Sequence, residues 1–439
     1  MLAPRSWLLS TRTPSCRVNA CLYQYHRPLP QLLPPSLCTA PFSCLYRSFL
    51  SSSSPKISNK MPVFLHVEKT EGKPGQVYFP LRLKETPKPT PGPGELLVRI
   101  RAAALNHRDL FIRQNLYPGI SFENPMLADG FGIVEEVGSG CKRSDVAKVG
   151  AGVVLVPCRN WISDPIGSED PNFSVIGGAA ATTAGTGSEY QIVPEDDLEL
   201  APPHLSPAEI AAFPLVGLTA WRALVTKADV AKIVAFAKVP PNVLITGIGG
   251  GVAITAAQLA VAHGCRVYVT SGDPAKLQRA VSELGVSGGV SYRDADWDKQ
   301  LLKKLPKERP YFDAIIDGAG GDIVKRGCRL LRTGGVISSY GMTVSPKMDW
   351  LMSAVLRNID LKGSTMGSRD EFRDMVAFVR DKKIKPVVSR VVYGGLTEAN
   401  LPAIETLFDD IKAGRQFGKL VLSFDQEPSG SGPDSPSKL

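Results

Sequence analysis

Four glycines in five positions, Gly247 and Gly249 to Gly251, separate the largely β-branched residues 243–246 from the alanine-rich residues 253–263. A cluster of that density between a strand pattern and a helical one predicts a tight turn out of a buried strand into a helix that stops at Gly264. At such a turn the helix presents free backbone amides and the positive end of its dipole, which suits a phosphate. Gly247, Gly250 and Ala253 fall three apart, spelling G-x-x-G-x-x-A. Gly250 then lets backbone approach a pyrophosphate, and the small Ala253 lets helix and strand pack closely. A lone glycine turn is weak evidence, but strand, turn, helix and next strand together point to a dinucleotide seat.

The end of that next strand selects the dinucleotide. An Asp or Glu there holds a ribose diol, whereas this chain reads "YVTSGDPAKL", with Ser271 at the expected place and Lys276 soon after. A hydroxyl and a cation suit a 2′-phosphate, so NADPH is expected over NADH. Asp273 comes one or two positions late, just before Pro274, and is expected to cap the following helix.

Strands and helices alternate from residue 206 to about residue 365. "LSPAEIAAFPLVGLTAWRALV" opens this region, with Ser206 as N-cap, Pro207 at the first helical position and Glu209 close behind. Strand patterns at residues 243–246, 266–270, 314–317 and 335–339 alternate with helical ones at 253–263 and 274–284. That alternation predicts a Rossmann doubly wound parallel sheet with right-handed crossovers. Residues 61–205 instead show short alternating segments broken by turn residues, and residues 366–425 return to that β-rich unit through "PVVSRVVYGG" and "GKLVLSF". The expected fold is therefore α/β: a mostly-β domain (61–205 and 366–425), a Rossmann domain (206–365), a leader (1–60) and a flexible tail (426–439).

Charge narrows the function classes. Seven of the nine excess positive charges lie in residues 1–60, which hold no acid, so the folded part is nearly neutral and carries no basic stripe for nucleic acid. No apolar run approaches the roughly 20 residues of a spanning helix, and a soluble protein is expected. The cysteines at 16, 21, 38, 44, 141, 158, 265 and 328 form no C-x-x-C pair, which fits a reducing intracellular compartment better than a disulfide framework. The two ends disagree about address. The leader has the Arg/Ser-rich, acid-poor composition of a mitochondrial transit peptide. The last three residues, Ser437, Lys438 and Leu439, spell a peroxisomal address read by the import receptor, and this one is favoured. Met61 opens a stretch at which a folded chain could begin.

With this turn, the stretches "AAALNHRDLFIRQNLYP", "FPLVGLTAWRAL", "DAIIDGAGGD", "GGVISSYGM" and "FGKLVL" in order resemble the medium-chain dehydrogenase/reductase superfamily, and within it the zinc-independent quinone oxidoreductase-like branch. The resemblance implies a GroES-like domain wrapped around the Rossmann domain, an active site in the cleft between them, and a homodimer. It implies that Thr219 and Gly341 border the nicotinamide, that Gly250, Gly251 and Val252 hold the pyrophosphate, and that Ser271, Lys276 and Tyr292 hold the 2′-phosphate. Lys419 reads either as a further cofactor contact or as a solvated surface charge, and Tyr292 either as a ligand or as a strand-edge aromatic.

Where zinc alcohol dehydrogenases of the superfamily carry a cysteine and a histidine, the matching positions here are Asn106 and Ala128, so no metal is expected. His107 reads as a polar residue beside the cleft rather than a substitute ligand. Without a Lewis acid, alcohol oxidation is hard, while hydride addition to a conjugated double bond forms an enolate that needs only hydrogen-bond donors. Asn106 and Tyr117 are the candidate catalytic donors, Tyr117 reading equally as a packing aromatic. Asp109 and Asp129 are expected to accept backbone hydrogen bonds, and Trp161 and Phe173 either to wall the substrate mouth or to cover the β domain. The reading is an NADPH-dependent reductase of α,β-unsaturated carbonyls or quinones, with an enoyl-thioester reductase or a non-catalytic NADPH-binding redox sensor as alternatives. Removing Leu439 from a fluorescent fusion of the full chain should turn a punctate peroxisomal distribution diffuse; an unchanged distribution contradicts that address.

Overall fold

The chain enters its fold as an antiparallel ribbon, β1 (Val63–Val67) with β2 (Leu81–Glu85). The computed structural model describes residues 61–427; the leader and the tail from residue 428, including Ser437-Lys438-Leu439, lie outside them. The hub of the β-rich half is β3 (Glu95–Ala104), whose valine, leucine, isoleucine and alanine side chains are buried along nearly its whole length. It pairs antiparallel with β4 (Asp129–Val137), β8 (Tyr190–Pro194) and β17 (Lys419–Ser423). With β5 (Gly152–Leu155), β9 (Leu198–Leu200) and β16 (Val388–Val392) these make a seven-stranded sheet. A two-residue pairing of β6 (Cys158–Arg159) with β7 (Ser174–Val175) closes the base of the loop that contains the 160s.

The second half begins at a capping box. Ser206 Oγ accepts from Glu209 N at 3.3 Å, and Glu209 Oε2 accepts from Ser206 N at 2.7 Å. Pro207 follows at the first helical position of Pro207–Ala211. Six parallel strands then form the expected doubly wound sheet: β10 (Asn242–Ile245), β11 (Arg266–Ser271), β12 (Gly288–Ser291), β13 (Phe312–Asp317), β14 (Leu331–Ser339) and β15 (Asp360–Gly363), in spatial order β12-β11-β10-β13-β14-β15. β10 and β13 are buried throughout, as helices on both faces require. The order reverses between these two strands, and such a switch point opens a crevice at their carboxyl ends. Thr246 Oγ1 spans it, donating to Asp317 Oδ1 at 2.6 Å.

The expected helices at 253–263 and 274–284 are Gly251–Ala262 and Pro274–Leu284. Two helices, Arg369–Asp381 and Leu401–Ala413, depart from the sequence pattern. The helix Arg369–Asp381 falls within the stretch read as β-rich, yet it packs on the helix Pro214–Trp221 and buries Phe372, Met375, Val376 and Val379. The chain re-enters the β-rich sheet only at β16.

Arg222 ties this helix to the 160s loop. Its guanidinium holds Glu371 through two contacts of 2.9 Å, donates to the carbonyls of Pro165 and Ile166, and stacks 4.3 Å from the Trp161 ring. Trp161 in turn meets Phe173 edge-on at 5.4 Å. These two aromatics wall a cavity of about 710 Å³ that also touches Tyr340 and Gly341. Phe372→Ala should lower the unfolding free energy by about 3–5 kcal/mol, because the side chain is fully buried between the helices. Denaturant titration checks this, and a loss below about 1 kcal/mol would show that the helix does not belong to that core.

Candidate active site

The sharp turn after β10 is built as the glycines require. Gly247 has φ +70° and Gly249 φ +134°, conformations that a side chain resists. Gly250 caps the helix Gly251–Ala262 with no side-chain bond, leaving the first amides free. A Cβ at Gly251 would stand 2.9 Å from Val216 Cγ1 and 3.0 Å from Lys419 Cδ, so only glycine lets the helix start lie this close to the opposite wall. Space is open at Gly247 and Gly250, where nothing lies within 4 Å of a built Cβ. Free amides, a dipole end and an open floor fit a pyrophosphate.

This turn faces a cleft of about 430 Å³ between the two sheets. Nine of the residues singled out from the sequence line it together: Asn106, Tyr117, Thr219, Gly247, Gly250, Gly251, Val252, Gly341 and Lys419. The other three gather at the end of β11, beside the turn. Ser271 is buried, and its Oγ accepts from Asp273 N at 3.1 Å. Lys276 packs against Gly249 and donates from Nζ to Gly414 O at 2.7 Å. The half-exposed Tyr292 has its hydroxyl against Gly272, and Arg293 Nε lies beside it there. Asp273 caps the next helix through Ala275 N at 2.9 Å, as expected. In the stretch from Ser271 to Lys276 the one acid, Asp273, is occupied by this cap.

The opposite wall is a buried ion pair. Lys419 Nζ lies 2.6 Å from Leu105 O, 2.7 Å from Asn106 Oδ1 and 2.7 Å from Asp129 Oδ2, which uses all three of its donors. Lys419 is only 5% exposed, so it is no surface charge. Asn106 Nδ2 donates to Asp129 Oδ2 at 2.8 Å, which leaves one amide hydrogen without a protein partner. The other oxygen of Asp129 accepts from Leu215 N at 2.6 Å, which ties the β-rich wall to the helix bordering the cleft. Asp109 Oδ2 accepts from Asn106 N at 2.7 Å, and burial pushes its carboxyl up to about 6. Both aspartates accept backbone bonds, as expected. His107 lies at the mouth, edge-on to Phe111, and burial of its ring holds the imidazole below its usual range. Sequence reasoning missed two cations beside these residues, Arg108 and Arg293. Their adjacency to Asn106 and Tyr292 was visible, but their direction was not.

Two family descriptions match the chain: the alcohol dehydrogenase GroES-like domain over residues 92–203, and zinc-binding dehydrogenase over residues 251–381. The chain is 52% identical over 366 residues to the zinc-type alcohol dehydrogenase-like protein YogA of Leptosphaeria maculans, covering 82% of this chain and 99% of that protein. It is 25% identical over 346 residues to the acryloyl-coenzyme A reductase of Sulfurisphaera tokodaii, covering 78% and 96%. A solved NAD-dependent alcohol dehydrogenase superposes with a TM-score of 0.68 at 30% identity, covering 83% of this chain and 99% of that one. A GroES-like half, a Rossmann-like parallel sheet and a cleft between them define an oxidoreductase fold. The chain belongs to the medium-chain dehydrogenase/reductase superfamily.

A catalytic zinc takes three His, Cys or carboxylate ligands and keeps one position open. Position 106 offers an amide already bonded twice, position 128 a methyl group, and Asp129 a carboxylate bonded to Lys419, Asn106 and Leu215. The Cys158 thiol is pushed up to about 12 by burial and lies 3.5 Å from Gly367 O. Among the described residues, no group of three or more His, Cys, Asp or Glu is arranged to hold a metal. This donor set does not fit a catalytic zinc. Among them, too, no helix is long and apolar enough to cross a membrane.

Lys419→Met should lower stability by about 3–5 kcal/mol, because Asp129 is then left buried and uncompensated. The double variant Lys419→Met/Asp129→Asn should recover at least about half of that loss. Equal losses in single and double variants would show that the pair is not coupled.

Proposed function

We propose that this protein is an NADPH-dependent, zinc-independent reductase that adds hydride to α,β-unsaturated carbonyl compounds or quinones. The observation that carries the reading is the Lys419 ammonium, which fills the polar floor formed by Leu105, Asn106 and Asp129 and leaves no ligand set for a Lewis acid. Reduction of a polarised double bond suits such a floor, because charge leaving the β-carbon ends on an oxygen that neutral or fixed cationic donors can solvate.

Bound with its pyrophosphate at Gly250, Gly251 and Val252, the dinucleotide supplies the hydride. Thr219 and Gly341 then border the nicotinamide, and Ser271, Lys276, Tyr292 and Arg293 surround the ribose phosphate. Asn106 offers its remaining amide hydrogen, and the Tyr117 hydroxyl is a second donor at the mouth. An enoyl thioester is a second substrate class, supported by the similarity to an acryloyl-coenzyme A reductase. A homodimer and a peroxisomal address are part of the same proposal, the latter supported by the terminal Ser437-Lys438-Leu439.

The test pairs binding with turnover. The dissociation constant for NADPH should be at least about tenfold below that for NADH, as one well-placed charge-assisted contact to the 2′-phosphate requires. NADPH should be consumed with some member of an enone, quinone and enoyl-thioester panel. Asn106→Ala and Tyr117→Phe should each slow that turnover more than they weaken NADPH binding. Tight NADPH binding with no consumption across the panel would instead favour a redox sensor, and equal affinity for the two dinucleotides would contradict the cofactor assignment.

A further inference from the structure

Among the described residues three arginines are buried, Arg108, Arg113 and Arg222, and two of them are satisfied. Arg113 donates from Nε to Phe79 O and from Nη1 and Nη2 to Glu405. Arg222 is held by Glu371, Pro165 and Ile166. Arg108 is different. It is 8% exposed, and its Nη1 donates to Ile176 O at 2.9 Å and meets Asp109 Oδ1 at 3.3 Å. Its Nε and Nη2 are buried and have no hydrogen-bond partner among the described residues. Among the described residues no other arginine has two buried, unpartnered guanidinium nitrogens.

A buried donor without an acceptor costs free energy, and a charged one costs more, so such a group calls for an explanation. Here the two unpaired nitrogens belong to a residue that lines the dinucleotide cleft, the same cleft that Thr219 and Gly341 line from the other side. Nε and Nη2 together form one edge of the guanidinium, the fork that receives one oxygen or the two oxygens of an anion. The face of the guanidinium is covered by the Tyr117 ring at 4.7 Å. Tyr117 sits in a loop that is left-handed at Asn115 and exposed at Leu116, Pro118 and Gly119. The ring thus lies on the guanidinium face and leaves the Nε–Nη2 edge uncovered by it, and it is carried on a partly exposed loop.

We infer that Arg108 is the anion-binding group of the substrate site, receiving on Nε and Nη2 the oxygen that becomes negative during reduction. This rests on the reductase reading above. Hydride forms a bond to the β-carbon, the C=C electron pair moves between the α- and carbonyl carbons, and the carbonyl pair moves onto oxygen. The dinucleotide is oxidised and the substrate reduced by two electrons. The enolate oxygen lies on the Arg108 fork, and a proton from water then bonds to the α-carbon and restores the carbonyl. The substrate class is an α,β-unsaturated acyl compound whose carbonyl reaches past Tyr117. Saturated carboxylates mimic that enolate in charge and shape and are expected to bind as inhibitors.

Arg108→Gln and Arg108→Lys test the assignment in the full chain, with two readouts. In the first, the variants are assayed with NADPH and the best enone or enoyl thioester of the panel. Arg108→Gln should lose about 100-fold in kcat, the size of a lost oxyanion donor, while its dissociation constant for NADPH stays within about twofold of the parent. In the second, 3-phenylpropanoate is titrated calorimetrically into protein saturated with NADP⁺. Arg108→Gln should bind it at least about tenfold more weakly, and Arg108→Lys should fall between, because a lysine keeps the charge but not the fork.

Parent-like kcat and parent-like carboxylate affinity in Arg108→Gln would overturn the inference. If that variant does not fold for want of the Ile176 bond, Arg108→Lys decides: carboxylate affinity equal to the parent overturns it, and a loss supports it. A parent that consumes no NADPH on any substrate but binds the carboxylate through Arg108 would remove the reductase reading and leave the anion site standing.

Discussion

The Lys419 ammonium, enclosed by Leu105 O, Asn106 Oδ1 and Asp129 Oδ2, is the contact on which the rest of the cleft depends. Its cost in desolvation is large, so its worth lies less in net stability than in the single geometry it enforces. It joins the last strand of the β-rich sheet to the end of β3 and the start of β4. Through Asp129 and Leu215 it reaches the helix that borders the cleft on the dinucleotide side. The lysine stem packs where Gly251 begins the dinucleotide helix. One ammonium thereby joins the β-rich wall of the cleft to the start of the helix Gly251–Ala262.

This contact also decides the chemistry available. A cation already stands where the polar atoms of the floor converge, and it is held by every donor it has. The negative charge of Asp129 is spent on it, so the floor has no anionic group left over to attract a metal. The cleft instead offers a spare amide hydrogen on Asn106, a phenol at Tyr117 and the unpaired fork of Arg108. Fixed donors of this sort stabilise a developing oxyanion without reorganising at the moment of reaction. They do much less for an alcohol that must first lose a proton, which is why the proposed activity is a reduction.

Much of this was legible in the chain. The glycine turn, the capping box at Ser206 and the β-branched core strands are local patterns, and local patterns survive folding because each is set by neighbours a few residues away. Ser271 could be placed at the end of β11 by counting from the turn. What escaped depended on partners far along the chain. Lys419 meets Asn106 across more than three hundred residues, and its sequence neighbours left a surface charge open as a reading. β12 and β15, reading "GGVS" and "DLKG", lack the apolar run of a buried strand because they are the sheet's edges. The helix Arg369–Asp381 shows a helical apolar spacing, but nothing in it says against which layer it packs. Arg108 lies in a helix of ordinary composition, and only the structure shows that half of its guanidinium has nothing to bond.

The most direct test of a metal-free hydride transfer is isotopic. Protein treated with a strong chelator and dialysed is given NADPH deuterated at C4 of the nicotinamide together with an enone or enoyl thioester, and the product is examined by NMR. The account predicts deuterium at the β-carbon, at a rate unchanged by the chelator. Activity that vanishes on chelation and returns with stoichiometric zinc would contradict it.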